Sequence, residues 1–392
     1  NGGFGEAPKF PQIPALLFLA EYARLAPDAW VAMQVRRAVE AMVRGGIYDQ
    51  AGGGICRYTV DETWLVPHFE KMLYDQALLL RALAAAAADG KDTAEFAHVA
   101  RQTAEFLARE MRLRGGAYAS ALSADMGGVE GATYVWTHEE LADVLSADQL
   151  ELAERHLGVT PEGDWEECAN ILTRREGRAE DADAVDAVLA RLLEARAKRP
   201  QPDLDDKALV SWNAMLARGL MEAGAAFGDD GLAAQGRDLL GVLLEATGGG
   251  ADVPHVLDDP DTASVRLIED HAHLAAACLA AHRATGDAGA LGTASRLHAR
   301  TLELFLDGDA LYMTPAETDL PVRPREQNDN PTPSGAATAT ENALALSRLT
   351  GDASHRELAA ALLRRWWAIA DCAPAFAGTA LSAMADMLKG GG

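Results

Sequence analysis

The sequence predicts an all-α fold, an (α/α)6 toroid of six helical hairpins with an inner ring inside an outer ring, spanning residues 1–392 as one domain. Three observations carry the prediction. An apolar helix, a short Asp-bearing turn and a second helix recur five times, at steps of about 60 residues with one step about twice as long. Within each unit the first helix is apolar almost all round, and the second is charged along one face. Turns inside units are short, whereas links between units are long and rich in Gly, Tyr and Trp.

In chain order the turns read "RLAPDAW" (24–30), "AADGKDTAEF" (87–96), "AFGDDGLAA" (226–234), "ATGDAGAL" (284–291) and "LTGDASHREL" (349–358). Gly is suited to end the first helix in a left-handed conformation, and Asp to cap the second. The longer step holds "THEELADVLSADQLELAERHLG" (137–158) and a helical run at 181–198, which are expected to supply the sixth pair. "TALSAMADMLK" (379–389) is a candidate to close the seam, with no firm position. First members such as "QALLLRALAAAAADG" are expected in the inner ring, and second members such as "AWVAMQVRRAVEAMVR" in the outer one. The long links at 45–66, 115–136, 158–180, 247–267 and 307–332 then gather at one end, where the inner helices start. Long loops on a rigid scaffold are where function concentrates, so the pocket is expected at that end.

The formal charge of −24 argues against nucleic acid or an anionic membrane as a partner, because both require a basic face. No apolar run reaches the roughly 18–20 residues of a membrane span. Cys56, Cys168, Cys278 and Cys372 have no CxxC spacing and read as reduced thiols of a cytoplasmic protein. No metal or cofactor motif is present, and none is expected.

The segment "VPHFEKMLYD" (66–75) concentrates reactive side chains before a run of Ala and Leu. Pro67 suits a first helical position, which would put His68 and Glu70 in the first turn. There the helix dipole would keep His68 neutral and able to act as a base, with Asp75 on the same face. The Gly-rich stretch "GGIYDQAGGGICRYTVDETW" (45–64) offers Asp49, Arg57, Tyr58, Asp61 and Trp64, a mixture suited to a polyhydroxylated ligand. Acids and Arg bind hydroxyls, and a ring covers the apolar sugar face. Other inner-helix starts add Trp212 and Asn213, and Glu269, Asp270 and His271. The stretch 120–137, read as a hairpin, adds Asp125 and Trp136. For each of these, helix capping or bracing of the fold is the competing reading.

"GGFGEAPKFP" (2–11), the whole of 45–75, "EGATYVWT" (130–137), "DDKALVSWNAM" (205–215) and "IEDHAHL" (268–274) together resemble the thioredoxin-domain protein family related to spermatogenesis-associated protein 20. The resemblance implies an N-terminal thioredoxin-like domain followed by a six-hairpin toroid, of which this chain is expected to be the toroid alone. It implies roles for Asp49, Gln50, Arg57, Tyr58, Asp61, Trp64, His68, Glu70, Lys71, Tyr74, Asp75, Trp212, Asn213, Glu269 and Asp270. Cys56 stands where relatives usually carry His, and His271 where Tyr is common.

Three functions remain open on the sequence. The leading one is acid–base epimerisation or isomerisation of a sugar-like ligand, with His68 and His271 as bases. Arg57 and Asn213 would steady the oxyanion, and Trp64 or Trp212 would stack on the ring. A glycoside hydrolase would instead use two carboxylates from among Asp61, Glu70, Asp75, Asp125 and Asp270. A non-catalytic toroid would bind a ligand and partner a thioredoxin-like module, upstream or in trans.

Overall fold

A computed structural model describes residues 2–88, 90, 93–174, 181–259, 261–262, 264–317 and 320–389. Parts of the second turn and of the links at 158–180, 247–267 and 307–332 therefore lie outside the described residues. The first half of the chain forms α1 (Ile13–Leu25), α2 (Ala29–Arg44), α3 (Leu73–Ala86), α4 (Ala94–Phe106), α5 (His138–Val144), α6 (Ala147–His156) and α7 (Ala182–Arg196). The second half forms α8 (Val210–Phe227), α9 (Asp230–Ala246), α10 (Ile268–Thr285), α11 (Ala288–Phe305), α12 (Gly335–Thr350), α13 (Ala353–Leu363), α14 (Trp367–Cys372) and α15 (Gly378–Lys389).

The turn chemistry acts as the sequence implies. Gly228, Gly286 and Gly351 take left-handed conformations after α8, α10 and α12. Asp28, Asp229, Asp287 and Asp352 then accept backbone N–H bonds at the starts of α2, α9, α11 and α13. Each cap satisfies donors that the helix itself leaves open.

Packing closes a ring of α1, α3, α8, α10, α12 and α15, with α15 returning to α1. Their starts lie together: Ser211 of α8 donates its N–H to Asp270 of α10, and Asp329 accepts from both Ser334, which caps α12, and Thr379 of α15. Helices α2, α4, α9, α11 and α13 pack outside on their own partners. Burial separates the rings. Thirteen of the 18 residues of α10 are buried, against seven of 18 in α11. Gly219 lets α8 approach α3, since a Cβ there would stand 2.5 Å from the Ala77 carbonyl oxygen. At the seam, a Cβ on Gly378 would collide with the backbone of Pro14, so the absence of a side chain sets how closely α15 meets α1.

One expectation is corrected. The segments at 137–158 and 181–198 do not form the sixth ring pair. Helices α5, α6 and α7 pack on one another as a side cluster around Trp136, Leu141, Leu157, Val188 and Leu192. An inner position requires a helix buried on every side, whereas Ala153 is the one buried residue of α6. The C-terminal helix α15 takes the sixth inner place.

Short strand pairs decorate the end where the inner helices start. Tyr58–Thr59 pairs with Pro67–His68, and Asp125–Met126 with Val129–Glu130. Ala121–Leu122 lies between Lys71–Met72 and Leu204–Asp205.

Candidate functional site

The segment before α3 is extended rather than helical, which corrects the placement of His68 and Glu70. From 67 to 72 burial alternates: Pro67, Phe69 and Lys71 point inward, and His68, Glu70 and Met72 are half-exposed. That is the two-residue period of a strand. Pairing with Tyr58–Thr59 and Ala121–Leu122 holds these residues out of the helix, which begins at Leu73. No helix dipole therefore acts on His68. Its ring stacks on Tyr58 at 4.9 Å, and its Nδ1 lies 2.7 Å from Glu130. Glu70 accepts a hydrogen bond from Arg57 at 3.0 Å.

Several residues expected to contact ligand are committed to the scaffold. Asp49 is enclosed between Lys71 (2.8 Å) and Arg196 (2.7 Å) and also accepts from the Ala51 and Gly52 N–H groups. Burial alone would raise its carboxyl, but the two cations hold it below the usual carboxylate range. Trp64 is fully buried, donates its indole N–H to Gly2 and lies under the Lys9 ammonium. No sugar can stack there. Asp61 closes its own turn, accepting from Thr63, Leu65 and Val66. Asn213 is fully buried and spends its amide on Tyr118 and Leu209, so it cannot steady an oxyanion. Trp136 is buried in the side cluster beneath Arg199. His271 is buried against Phe305, and burial lowers it to about 4, which leaves a neutral core ring. Asp125 is exposed on its hairpin opposite Glu130.

The remaining residues lie at the end where the inner helices start. On α3, Tyr74 meets Trp212 of α8 edge-on at 4.8 Å. Asp75 is buried with one carboxylate oxygen unpartnered. Burial raises its pKa well above the ordinary value, Arg57 opposes this, and Glu70 adds to it.

At the start of α10 the sequence reading found Glu269 and Asp270 but missed their partner. His255 lies in the link before α10, where Val210 N–H donates to the His255 carbonyl and Leu257 N–H to that of Ala208. Its Nδ1 lies 3.0 Å from the fully buried Asp270 and 3.8 Å from Glu269. The hydrogen bond to Asp270 raises the imidazole pKa against the effect of burial. Burial, then the Asp270 charge, raises Glu269 to about 7. Glu326, also missed, is raised to about 6 by burial and accepts from the Gly335 N–H. A signal for His255 was available, because "VPH" stands at both 66–68 and 253–255.

An acid near neutrality beside an oriented imidazole is equipped to give and take protons. The ligand atoms of His255, Glu269 and Asp270 also lie within 4.8 Å of one another, a set that could hold a divalent cation.

A cavity also lies at the opposite end of the ring. Residues from the middle and C-terminal parts of all six inner helices line about 540 Å3, with arginines and carboxylates among Ala and Leu.

No family model matches the chain. Human spermatogenesis-associated protein 20 is 33% identical over 408 residues, covering 89% of this chain and 51% of that protein. An uncharacterized protein of Caenorhabditis elegans is 28% identical, covering 91% of this chain and 55% of its own length. The chain thus spans about half the length of the curated relatives it matches. A sugar epimerase from a ruminal bacterium superposes with a TM-score of 0.63 at 12% identity, covering 100% of this chain and 93% of that one. Cellobiose 2-epimerase from Bacillus thermoamylovorans superposes with a TM-score of 0.57 at 11% identity, covering 95% and 81%. At such identities the likeness is one of fold. Over most of its length the chain is homologous to part of spermatogenesis-associated protein 20, and its residues build a six-hairpin-type toroid.

Proposed function

We propose that this toroid performs acid–base epimerisation or isomerisation on a sugar or sugar-like ligand at its loop-bearing mouth. The observation that carries the reading is the His255–Asp270 pair beside Glu269, a carboxyl that titrates at about 7. With Nδ1–H donated to Asp270, the other imidazole nitrogen holds a lone pair and acts as the base. It takes the proton from the carbon next to the sugar carbonyl, and the bond electrons pass to the carbonyl oxygen as an enediolate. Glu269 in its acid form donates to that oxygen. The imidazolium, its proton exchanged with solvent, then protonates a carbon of the enediol, while Glu269 recovers a proton from the oxygen that becomes the carbonyl. Trp212, half-exposed, offers an aromatic edge at the same mouth. The two epimerase neighbours support the reading by analogy of fold. The proposal keeps a thioredoxin-like partner, upstream or in trans, and a cytoplasmic setting.

The test is proton NMR in D2O with aldoses, ketoses, N-acyl sugars and short glycosides. Deuterium entry beside a carbonyl is expected, falling by about 100-fold or more in Glu269→Gln and in His255→Asn. Absence of exchange with every sugar, or undiminished exchange in both variants, would overturn the proposal. New anomeric signals from a cleaved glycoside would favour a hydrolase. The 4.8 Å ligand set favours one further reading, metal-assisted isomerisation, under which chelator abolishes exchange and Mn2+ restores it.

A further inference from the structure

The cavity at the far end of the ring has no part in the chemistry above. Its lining carries five arginines against four carboxylates, a net positive chamber in a chain of charge −24. Most of these charges are already matched. Glu222 receives Arg81 at 2.9 Å and Arg218 at 2.7 Å. Burial alone would raise the Glu222 carboxyl, but the two guanidiniums hold it at about 2. Glu341 stands 3.8 Å from Arg218, and Arg348 pairs with Asp386.

Arg283 is the exception. It lines the cavity from the last turn of α10 and is open to it, yet it forms no ion pair or hydrogen bond among the described residues. Desolvation by the surrounding protein disfavours its charge and Arg218 and Arg348 repel it, while Glu222 and Glu341, whose direct partners are other arginines, attract it only at a distance. Arg283 is still exposed, so its guanidinium is free to meet a ligand entering the cavity, and its planar fork matches two-oxygen acceptors. The cavity volume lies within the range of about 300–1,000 Å3 that small-molecule sites occupy.

We propose that this cavity binds a sugar-sized organic anion, a carboxylate or a phosphate monoester, with Arg283 as its charged partner. The site is separate from the loop-bearing mouth and does not depend on what happens there.

Isothermal titration calorimetry of the chain with D-gluconate, D-glucose 6-phosphate and neutral D-glucose tests the proposal. At least one anion is expected to bind with a Kd of about 1 mM or tighter, more weakly as salt rises. Binding of gluconate alone identifies a carboxylate site, and binding of the phosphate ester alone a phosphate site. Arg283→Met is expected to weaken the anion about tenfold or more, and Arg283→Lys, which keeps the charge but loses the fork, by less. Glu269→Gln should bind the anion as wild type does. The proposal is overturned if neither anion binds, if both Arg283 variants bind unchanged, or if Glu269→Gln abolishes binding.

Discussion

Replacing Asp49 by Asn tests whether the Gly-rich 45–64 stretch braces the fold or holds ligand. Asn keeps the shape and can still accept from the Ala51 and Gly52 N–H groups, so the turn survives. What is lost is the charge between Lys71 and Arg196, whose side chains are 0% and 3% exposed. Removing one partner of a buried ion pair costs about 3–5 kcal/mol, because the other charge stays buried and unmatched. Unfolding entropy of about 2.1 cal/mol/K per residue over 392 residues comes to about 0.8 kcal/mol/K. A loss of about 4 kcal/mol therefore lowers Tm by about 5 °C, readable by scanning calorimetry at pH 7. The pH dependence has a definite sign. The Asp49 carboxyl is held below 3.8 in the folded chain, so its contribution is present above that pH and is lost as pH falls further. The gap between wild type and variant should hold from pH 8 to about 5 and narrow in stronger acid. An unchanged Tm with loss of ligand binding would refute the bracing role. A gap that widens in acid would refute the electrostatic account.

Three further outcomes are expected. Glu269→Gln should gain stability relative to wild type as pH rises from 4.5 to about 7, since a raised carboxyl pKa disfavours the folded state over that window; thermal melts across pH check it. Asp75→Asn should likewise be favoured over wild type in melts at pH 8 relative to pH 4, because the buried carboxyl resists ionisation. His271→Phe should leave deuterium exchange within about twofold of wild type while lowering Tm by no more than a few degrees, since the ring is a neutral core group against Phe305.

What the sequence made legible was governed by neighbours along the chain. Gly228 with Asp229, or Gly286 with Asp287, end one helix and start the next within a few residues, and no distant contact decides them. The apolar girth of α10 against the striped α11 reports burial directly. The segment 66–72 misled because Pro67 followed by acids is a local helix signal, while the pairing that overrides it comes from Ala121–Leu122. His255 reaches Asp270 through a fold of the 247–267 link that no periodicity encodes. The far cavity was not legible, because Arg81, Arg218 and Arg283 come together only once distant helices pack into the ring.

The seam between α1 and α15 bears on how the chain is made. Neighbours in the ring are here the first and last of the inner helices, so this contact closes a longer loop than any other in the ring. During synthesis, α1 must wait with an apolar flank uncovered until α15 leaves the ribosome, and α12 waits with it. A nascent chain stopped short of Gly378 would present both flanks to chaperones. Supplying the α15 segment as a separate peptide should then cover them, making ring closure a step that can be timed on its own.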